Sequence, residues 1–483
     1  MFSAFLSPRL YGAIALGLFI VLGWFSLTAL TESPPTWFDE GVLIQVAMNQ
    51  ALHGAEQIQV APGLFEPATY VTGGFSFLRP ISWSFSLFGI GLFQARIVMA
   101  LFIFLCAGIF FTLIYSLFGR MPALLSLLLL VTFPPLYGQG KNVLGEVPGL
   151  FFLGSFLYFL YTLEKNKYQG IWWYVAAGVT AGLCVATKPI FILLGPAIIV
   201  GIIFKHRSVT FYWKNIALSF GAFLVPMTIW FFGRYSATDS LSSVISYYAN
   251  PYAITDLHAK IIENIALFFH EAAPMYFALM MLAWFVALFI RIRRHEKITL
   301  TETIVFAFAL LVTTAYTRTE GWYRYFFLAE IPALVFFASS LEIAARTIFP
   351  NRRRMQVMSL SCVVVLLISI QSYQLLVGSW VAQHSTRTTT HDLQVYISTI
   401  PKDKSFFVYN TPVAVVFLPS QNYYQYLELN TAVHLGTNQL PLLERASSEY
   451  LVTNDRAWQQ ASSTMQRYRM IKNIDSIIIA QKR

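Results

Sequence analysis

The sequence is poor in charge, in cysteine and in nucleotide-binding motifs, and each shortage excludes a class of protein. Only 12% of the 483 residues are charged, whereas soluble domains carry about 25%. The chain has 3 cysteines, Cys106, Cys184 and Cys362, and all fall within apolar runs, so no disulfide framework is expected. It contains no Walker loop and no dinucleotide fingerprint, so nothing predicts a nucleotide-sugar site.

Long hydrophobic runs are what the sequence has instead. Hydrophobic residues make up 57% of the chain, and uncharged apolar runs recur at about 20 residues, the length that crosses a bilayer as a helix. We therefore predict a polytopic, mostly α-helical membrane protein whose first run is a retained helix. The eleven predicted spans are 10–30, 95–118, 121–138, 147–163, 171–187, 190–204, 215–233, 272–290, 301–317, 325–345 and 357–378.

Lys and Arg are distributed unevenly between the loops. The short loops on one side hold only Lys141, Lys188, Arg318 and Arg324, and the loops of the other side hold most of the rest. Because Lys and Arg collect in cytoplasmic loops, we expect a cytoplasmic N-terminus and, with an odd number of spans, an extracytoplasmic C-terminus. The net charge of +10 therefore predicts no nucleic-acid partner. Compact loops indicate the plasma (inner) membrane of a prokaryote, with membrane lipids as neighbours.

Residues 31–94 break the pattern inside the predicted transmembrane domain, 1–378. They form a long first external loop with amphipathic stretches at 41–53 and 81–93. Such stretches are too short and too polar to span, and they are typical of helices that lie in the membrane interface.

Residues 379–483 have the composition of a small soluble domain outside the membrane. A helix is predicted at His391–Ile400, and strands are predicted in "SFFVY", "EYLVT" and "SIIIAQ". We therefore expect a small C-terminal α/β domain.

Ionisable residues gather near the external ends of the predicted helices. An ionisable residue at a helix centre costs about 2.5–3.5 kcal/mol on insertion scales, so residues close to membrane depth are candidates for function. The group comprises Asp39, Glu40, Arg79, Lys141, Glu146, Lys188, Arg318, Glu320 and Arg324. Cations can hold a phosphate and a carboxylate can accept a proton, which predicts an anionic, phosphate-bearing substrate.

Each of these candidates also has a purely structural interpretation. Asp39 occupies the position of a helix N-cap, and Glu146 begins a helix where an acid favours the macrodipole. Lys188 can snorkel to the interface, and Arg324 lies in an aromatic belt. A cap also fixes its carboxylate, however, and a fixed carboxylate beside the membrane is what a general base for an incoming hydroxyl needs.

Tyrosines are further candidates for substrate contact. Tyr325 adjoins Arg324 in "RTEGWYRYFF", and Tyr247 and Tyr248 in "ISYYANPYAI" can stack on a sugar, although interfacial tyrosines are common. No His, Cys or carboxylate spacing matches a metal motif. A divalent metal is therefore not indicated, although a pair of acids can bind one.

Six motifs follow one another along the chain: "FDEG" in the first external loop, "RP", "SLFGIGLFQARIVMALF", a second acid, "TKP" and a late "RY…P". This order resembles the membrane glycosyltransferases of the C-type superfamily (GT-C). The chain is family 39-like and is similar to protein O-mannosyltransferases and lipid A aminoarabinose transferases. The resemblance is strongest over 1–210 and returns at 318–335.

This resemblance implies a polyprenyl-phosphate sugar donor and an inverting transfer to an extracytoplasmic acceptor, with no required cofactor. Catalysis would involve Asp39 as general base or acceptor-orienting carboxylate, with Glu40 and Glu146. The donor phosphate would be bound by Arg79, Lys188 and Arg324. Apart from the resemblance, the candidates for further substrate contacts are Lys141, Arg318, Tyr325, Tyr247 and Tyr248. The chain departs from many relatives in having "RPIS" for Lys-Pro-Pro and Glu for Asp at the second acid.

Other functions are open at this point. A transporter or flippase of lipid-linked saccharides predicts interrupted helices and paired repeats, and no convincing repeat is present. A non-catalytic envelope assembly protein would act through 379–483, and a polysaccharide polymerase or ligase is a further enzyme. The donor sugar is not defined by the sequence, and the acceptor can be a glycan, a lipid or a protein.

Overall fold

The structure is a computed structural model, and it describes residues 7–69, 71–205, 212–234, 242, 254–428, 434–435, 448–460 and 467–483. Its first helices are α1 Pro8–Leu27, α2 Phe38–His53, α3 Phe75–Phe88, α4 Leu92–Phe118, α5 Arg120–Val131, α6 Pro134–Gly140, α7 Glu146–Lys165, α8 Ile171–Thr187, α9 Leu194–Lys205 and α10 Trp213–Arg234. The later ones are α11 Leu257–His270, α12 Ala272–Arg293, α13 Leu300–Tyr316, α14 Tyr323–Ile348 and α15 Arg353–Tyr373. The predicted fold class is confirmed.

Within the described residues, 7 helices are long and apolar enough to cross a membrane. They are α1, α4, α7, α10, α12, α14 and the helix that begins at Arg353. The bent pair α5 and α6 is an eighth candidate, and shorter apolar helices occupy Ile171–Thr187, Pro189–Lys205 and Leu300–Tyr316. Each of the eleven predicted segments coincides with one of these elements.

The bend between α5 and α6 follows from the local sequence. The two helices meet at 62°, where Phe133 precedes Pro134 and Pro135. A proline cannot donate to the preceding turn, and the residue before it is driven out of the helical region. Phe133 is accordingly extended, so the segment predicted as one span, 121–138, is a broken helix.

The segment predicted as the first external loop, residues 31–94, is more structured than its sequence indicates. A hairpin of β1 Gln57–Ala61 and β2 Leu64–Pro67 turns at Gly63, whose φ of +72° suits glycine. The helix α2 begins three residues before the predicted 41–53, and α3 begins before the predicted 81–93 and ends at Phe88. Most of α2 is buried, more deeply than a helix that lies on a membrane surface.

The N-terminus of α2 corrects one prediction. The N-cap is Trp37, so Asp39 is the second residue of the helix and does not cap it. The capping-box carboxylate is Glu40, which accepts a hydrogen bond from the Trp37 backbone N–H at 3.3 Å. The capping interpretation required the Asp39 carboxylate to accept a hydrogen bond from the helix N-terminus as the N-cap, and it does not occupy that position.

The described elements of the C-terminal domain are α16 Trp380–His384, α17 Thr389–Ser398, β3 Phe406–Tyr409, β4 Tyr423–Glu428, β5 His434–Leu435, β6 Tyr450–Asn454, α18 Asp455–Gln460, β7 Tyr468–Ile474 and β8 Ile477–Lys482. These six strands form one mixed sheet with the order β5-β4-β3-β6-β8-β7. Strand β3 runs parallel to β4 and β6, and the remaining pairs are antiparallel. The helix predicted at His391–Ile400 and the three predicted strands coincide with α17, β3, β6 and β8.

This domain packs directly on α2. The side-chain amides of Gln45 and Gln425 form a reciprocal buried pair, at 2.8 and 2.9 Å. Gln45 also donates to the backbone carbonyl of Pro412 at 2.9 Å. A Cβ at Gly41 would lie 2.3 Å from the Val413 nitrogen, so only glycine permits this approach. The C-terminal domain thereby holds the helix that carries Asp39.

Candidate functional site

The N-termini of α2 and α14 meet at an ion pair. The Arg324 guanidinium donates through Nη1 to the Oδ2 atom of Asp39, and its Nη2 donates to the Tyr325 hydroxyl at 3.0 Å. The guanidinium also lies 4.7 Å from the ring centroid of Trp322 and 5.0 Å from that of Tyr325. The Arg324 side chain is 8% exposed and that of Asp39 is 41% exposed. Arg324 is thus held by aromatic rings, while the Asp39 carboxylate remains accessible.

A second ion pair also adjoins the ring of Tyr325. The Lys188 ammonium, at the end of α8, donates to the Oε1 atom of Glu146 and to the Leu144 carbonyl at 3.3 Å. It also lies 5.7 Å from the ring centroid of Tyr325. Both side chains are buried. Burial lowers the pKa of Lys188, and the neighbouring charge of Glu146 opposes this shift.

Five of the predicted residues therefore form one continuous group, which we call the Asp39 cluster: Asp39, Arg324, Tyr325, Lys188 and Glu146. The cluster joins the starts of α2, α7 and α14 to the end of α8. Its two cations are neighbours at Tyr325 and each pairs with one carboxylate, and of the two carboxylates only that of Asp39 has substantial exposure. A group that accepts a proton from an incoming molecule must be accessible, so Asp39 is the member of the cluster that can do so.

Glu40 faces different surroundings from its neighbour Asp39. Its side chain is fully buried, and Arg96 donates to both carboxylate oxygens, from Nε at 2.8 Å and from Nη2 at 2.7 Å. The Val143 backbone N–H adds a third hydrogen bond at 3.2 Å. Glu40 does not contact the Asp39 cluster in this structure, and its carboxylate is not accessible to a substrate.

Arg96 is a residue of this region that the sequence reasoning missed. Besides Glu40, it donates to the carbonyls of Leu30 and Pro34, at 2.9 and 2.8 Å, and to the Asn142 side chain at 2.7 Å. It therefore ties the end of the first helix, the start of α2 and the turn before α7 to α4. A lone arginine in the apolar run "FQARIVM" was the available signal.

Lys141 also belongs to this structural network. Its buried ammonium donates to the carbonyl of Thr28 at 2.8 Å, beyond the end of α1. Burial and the nearby charge of Arg96 lower the pKa of Lys141 to about 7. The structure thus places Lys141 at the end of the first helix and away from solvent, whereas its position in the sequence made it a candidate for a substrate contact.

The other predicted residues lie apart from the cluster. Arg79 on α3 and Arg318 after α13 are exposed, and neither side chain has an ion pair with another described residue. Gly74, the N-cap of the helix that carries Arg79, donates its backbone N–H to the carbonyl of Thr187 at 3.0 Å. Thr187 immediately precedes Lys188 in the chain. Tyr247 and Tyr248 lie outside the described residues.

A second buried arginine, Arg234 at the end of α10, was also missed. It pairs with Glu56 at 2.9 Å and donates to the carbonyls of Ala68 and Val71, both at 2.9 Å. It therefore orders the loop that leads into α3. In the part of the chain that the structure describes, no three His, Cys, Asp or Glu side chains are grouped as a metal site would require.

Comparison with solved structures shows that the chain has the C-type membrane glycosyltransferase fold. The apo crystal structure of ArnT from Cupriavidus metallidurans matches with a TM-score of 0.64 at 14% identity, over 98% of this chain and 97% of that chain. The same protein bound to undecaprenyl phosphate matches with a TM-score of 0.60 at 13% identity, over 98% of each chain. The oligosaccharyltransferase AglB from Archaeoglobus fulgidus matches with a TM-score of 0.56 at 12% identity, over 91% of this chain and 69% of that chain.

Sequence comparison agrees with the fold. Residues 80–230 match the profile of the family described as dolichyl-phosphate-mannose-protein mannosyltransferase, and this stretch includes Glu146 and Lys188. No curated protein matches the sequence significantly. The resemblance to the C-type membrane glycosyltransferases is thereby confirmed at the level of the fold.

Proposed function

We propose that this protein transfers a sugar from a polyprenyl-phosphate donor to an acceptor at the extracytoplasmic surface of the membrane. The observation that carries the proposal is the Asp39 cluster, in which an accessible carboxylate adjoins two buried cations. The ligands of the relatives agree with the donor class. One ArnT structure contains undecaprenyl phosphate, and the AglB complex contains a dolichol-phosphate.

Asp39 is the general base of the proposed reaction. Its carboxylate is oriented by Arg324, whose guanidinium itself packs on the rings of Trp322 and Tyr325. The hydroxyl or amine of the acceptor attacks the anomeric carbon from the face opposite the phosphate. A bond from that carbon to the acceptor forms, the bond to the phosphate oxygen breaks, and the acceptor proton passes to Asp39. The products are the glycosylated acceptor, with inverted configuration, and the free lipid phosphate.

Lys188 and Arg324 are the cations that would stabilise the departing phosphate, and exposed Arg79 on α3 is a further candidate. A guanidinium binds phosphate oxygens through two parallel hydrogen bonds, so a bound donor would compete with Asp39 for Arg324. Binding of the donor would thus release the Asp39 carboxylate for the acceptor. Glu146 keeps Lys188 in place and offsets the cost of burying its charge.

The orientation of the chain is part of the proposal. A cytoplasmic N-terminus places the C-terminal sheet domain and the Asp39 cluster outside, in the plasma membrane of a prokaryote. The support is the distribution of Lys and Arg between the loops. The acceptor then meets the donor between the membrane helices and the C-terminal domain that packs on α2.

The test follows release of free polyprenyl phosphate by the purified protein. The protein in detergent receives a panel of labelled polyprenyl-phosphate sugars, with and without membrane extract as a source of acceptor. We expect release with one sugar and a loss of about 100-fold or more in Asp39→Asn, with unchanged thermal unfolding. Asp403→Asn, an exposed aspartate of the C-terminal domain, is the matched control and should retain full activity.

A second variant separates binding from proton transfer. Lys188→Met should raise the KM for the donor by about tenfold or more, because a hydrogen bond to a charged group contributes about 1.5–3 kcal/mol. Full turnover by a folded Asp39→Asn would refute the role of Asp39. No release by the native protein with any sugar, even with extract, would favour a transporter or an assembly protein.

A further inference from the structure

A basic pocket lies at the opposite end of the helix that carries Arg324. That helix, α14, runs from Tyr323 to Ile348, and Arg346 in its last turn lines the pocket. At 1.5 Å per residue, Arg324 and Arg346 are separated by about 33 Å along the helix. This distance is about the thickness of the hydrocarbon core of a bilayer. The pocket therefore belongs to the other membrane surface and is separate from the Asp39 cluster.

The ends of three helices form this pocket: the C-termini of α12 and α14 and the N-terminus of α15. Its volume is about 620 Å³. The lining residues are Arg294, Arg346, Pro350, Asn351, Arg353 and Gln356. Three of the six side chains are guanidinium groups and no carboxylate is among them, so the pocket is complementary to an anion.

Arg346 and Arg294 keep donors for a ligand. Arg346 is 47% exposed and uses one Nη atom on Glu342. Arg294 is 44% exposed, and its nearest carboxylate, on Glu296, is 4.0 Å away. A guanidinium has five N–H donors in a planar arrangement that matches phosphate oxygens. These two side chains can therefore bind a phosphate without breaking a buried ion pair.

Gln356 adds an acceptor to the pocket. Its side-chain amide is buried and donates through Nε2 to the Phe349 carbonyl at 2.7 Å. Its Oε1 atom has no hydrogen-bond partner among the described residues. A buried oxygen that stays unsatisfied is destabilising, so a ligand with a hydroxyl donor beside its phosphate fits the pocket better than a bare phosphate.

Two exposed apolar side chains lie near the pocket residues in the sequence. Ile348 is 66% exposed and Met358 is 57% exposed, and both follow closely on residues that line the pocket. Exposed apolar groups beside a cationic pocket match the two parts of a phospholipid, its acyl chains and its charged headgroup.

We propose that this pocket binds the headgroup of an anionic glycerophospholipid that carries a hydroxyl, such as phosphatidylglycerol. The phosphate binds Arg294, Arg346 and Arg353, and a headgroup hydroxyl donates to Gln356 Oε1. The acyl chains lie along the exposed side chains of Ile348 and Met358. The assignment to the cytoplasmic leaflet rests on the orientation proposed above, whereas the chemistry of the pocket does not.

The test measures lipid retention by the full chain with native mass spectrometry. Phosphatidylglycerol and phosphatidylcholine are compared, and phosphatidylglycerol should bind at least tenfold more tightly. Arg346→Gln and Arg353→Gln should each reduce its affinity about tenfold or more. Arg9→Gln, an exposed arginine on the same predicted side, removes the same charge outside the pocket and should change the affinity little. Equal losses in all three variants would show general surface attraction and overturn the proposal.

Two further comparisons define the ligand. Phosphatidylethanol has the same charge without a headgroup donor, so the native protein should prefer phosphatidylglycerol and Gln356→Leu should abolish that preference. Binding of free glycerol phosphate as tightly as the lipid would show that the pocket takes a soluble phosphate and would overturn the lipid assignment. Because these measurements do not depend on turnover, they test the lipid site independently of the proposed transferase activity.

Discussion

Replacing Arg96 by methionine tests whether Glu40 has a structural role. The substitution removes five hydrogen bonds of the guanidinium and leaves the Glu40 carboxylate, which has no exposed surface, without its partner. Removing one member of a buried ion pair costs about 3–5 kcal/mol. We therefore expect Arg96→Met to lose about that much of its free energy of unfolding.

The double variant Glu40→Met with Arg96→Met provides the matched comparison. Replacing both members of a buried pair by apolar residues is often neutral, although the carbonyls of Leu30 and Pro34 lose their donor in both variants. The double variant should therefore be more stable than Arg96→Met alone. Denaturant titration in detergent, with native and single Glu40→Met proteins included, completes a double-mutant cycle.

The outcome distinguishes two roles for Glu40. A loss below about 1 kcal/mol in Arg96→Met, or a double variant as unstable as the sum of the singles, would refute the structural role. In that case the catalytic role that the resemblance implied for Glu40 would regain support. Activity gives an independent readout, because per folded molecule Glu40→Gln should retain far more turnover than Asp39→Asn.

Two other predictions follow from buried groups near α2. Because the folded pKa of Lys141, about 7, lies below its unfolded value of 10.5, the native protein favours the neutral form, and this residue lowers stability most below pH 7. Its contribution to the free energy of unfolding should therefore rise by about 2 kcal/mol from pH 7 to 9. Thermal unfolding measured across this pH range should show that rise in the native protein and not in Lys141→Met. The same pH profile in both proteins would contradict the buried position of Lys141. Gly41→Ala should weaken the contact between α2 and the C-terminal domain, because the added Cβ would overlap the Val413 backbone. Limited proteolysis between α15 and β3 should therefore become faster. Unchanged cleavage would show that the contact is dispensable.

The membrane class and the helices could be predicted because they depend on local composition. A run of about 20 apolar residues must form a helix in a bilayer, where backbone groups find no water, and each predicted segment coincides with a helical element. The break at Phe133 and the hairpin at Gly63 were missed. The α5–α6 bend lies inside an apolar run, and the strands of the hairpin are short and partly polar.

The sequence by itself also determined the candidates Asp39, Glu146, Lys188 and Arg324, because a charge near membrane depth is rare and needs a reason. Sequence alone did not show which of them pair. The Asp39–Arg324 pair joins residues 285 positions apart, and no local pattern records such a contact.

Only the tertiary structure separated Asp39 from Glu40. Successive side chains on a helix point about 100° apart, so adjacent acids meet different neighbours as soon as α2 is packed. Asp39 faces Arg324 on α14 and stays accessible, whereas Glu40 faces Arg96 on α4 and is enclosed. Two residues with the same charge in one motif thus acquire different surroundings, because packing decides which side of the helix reaches solvent.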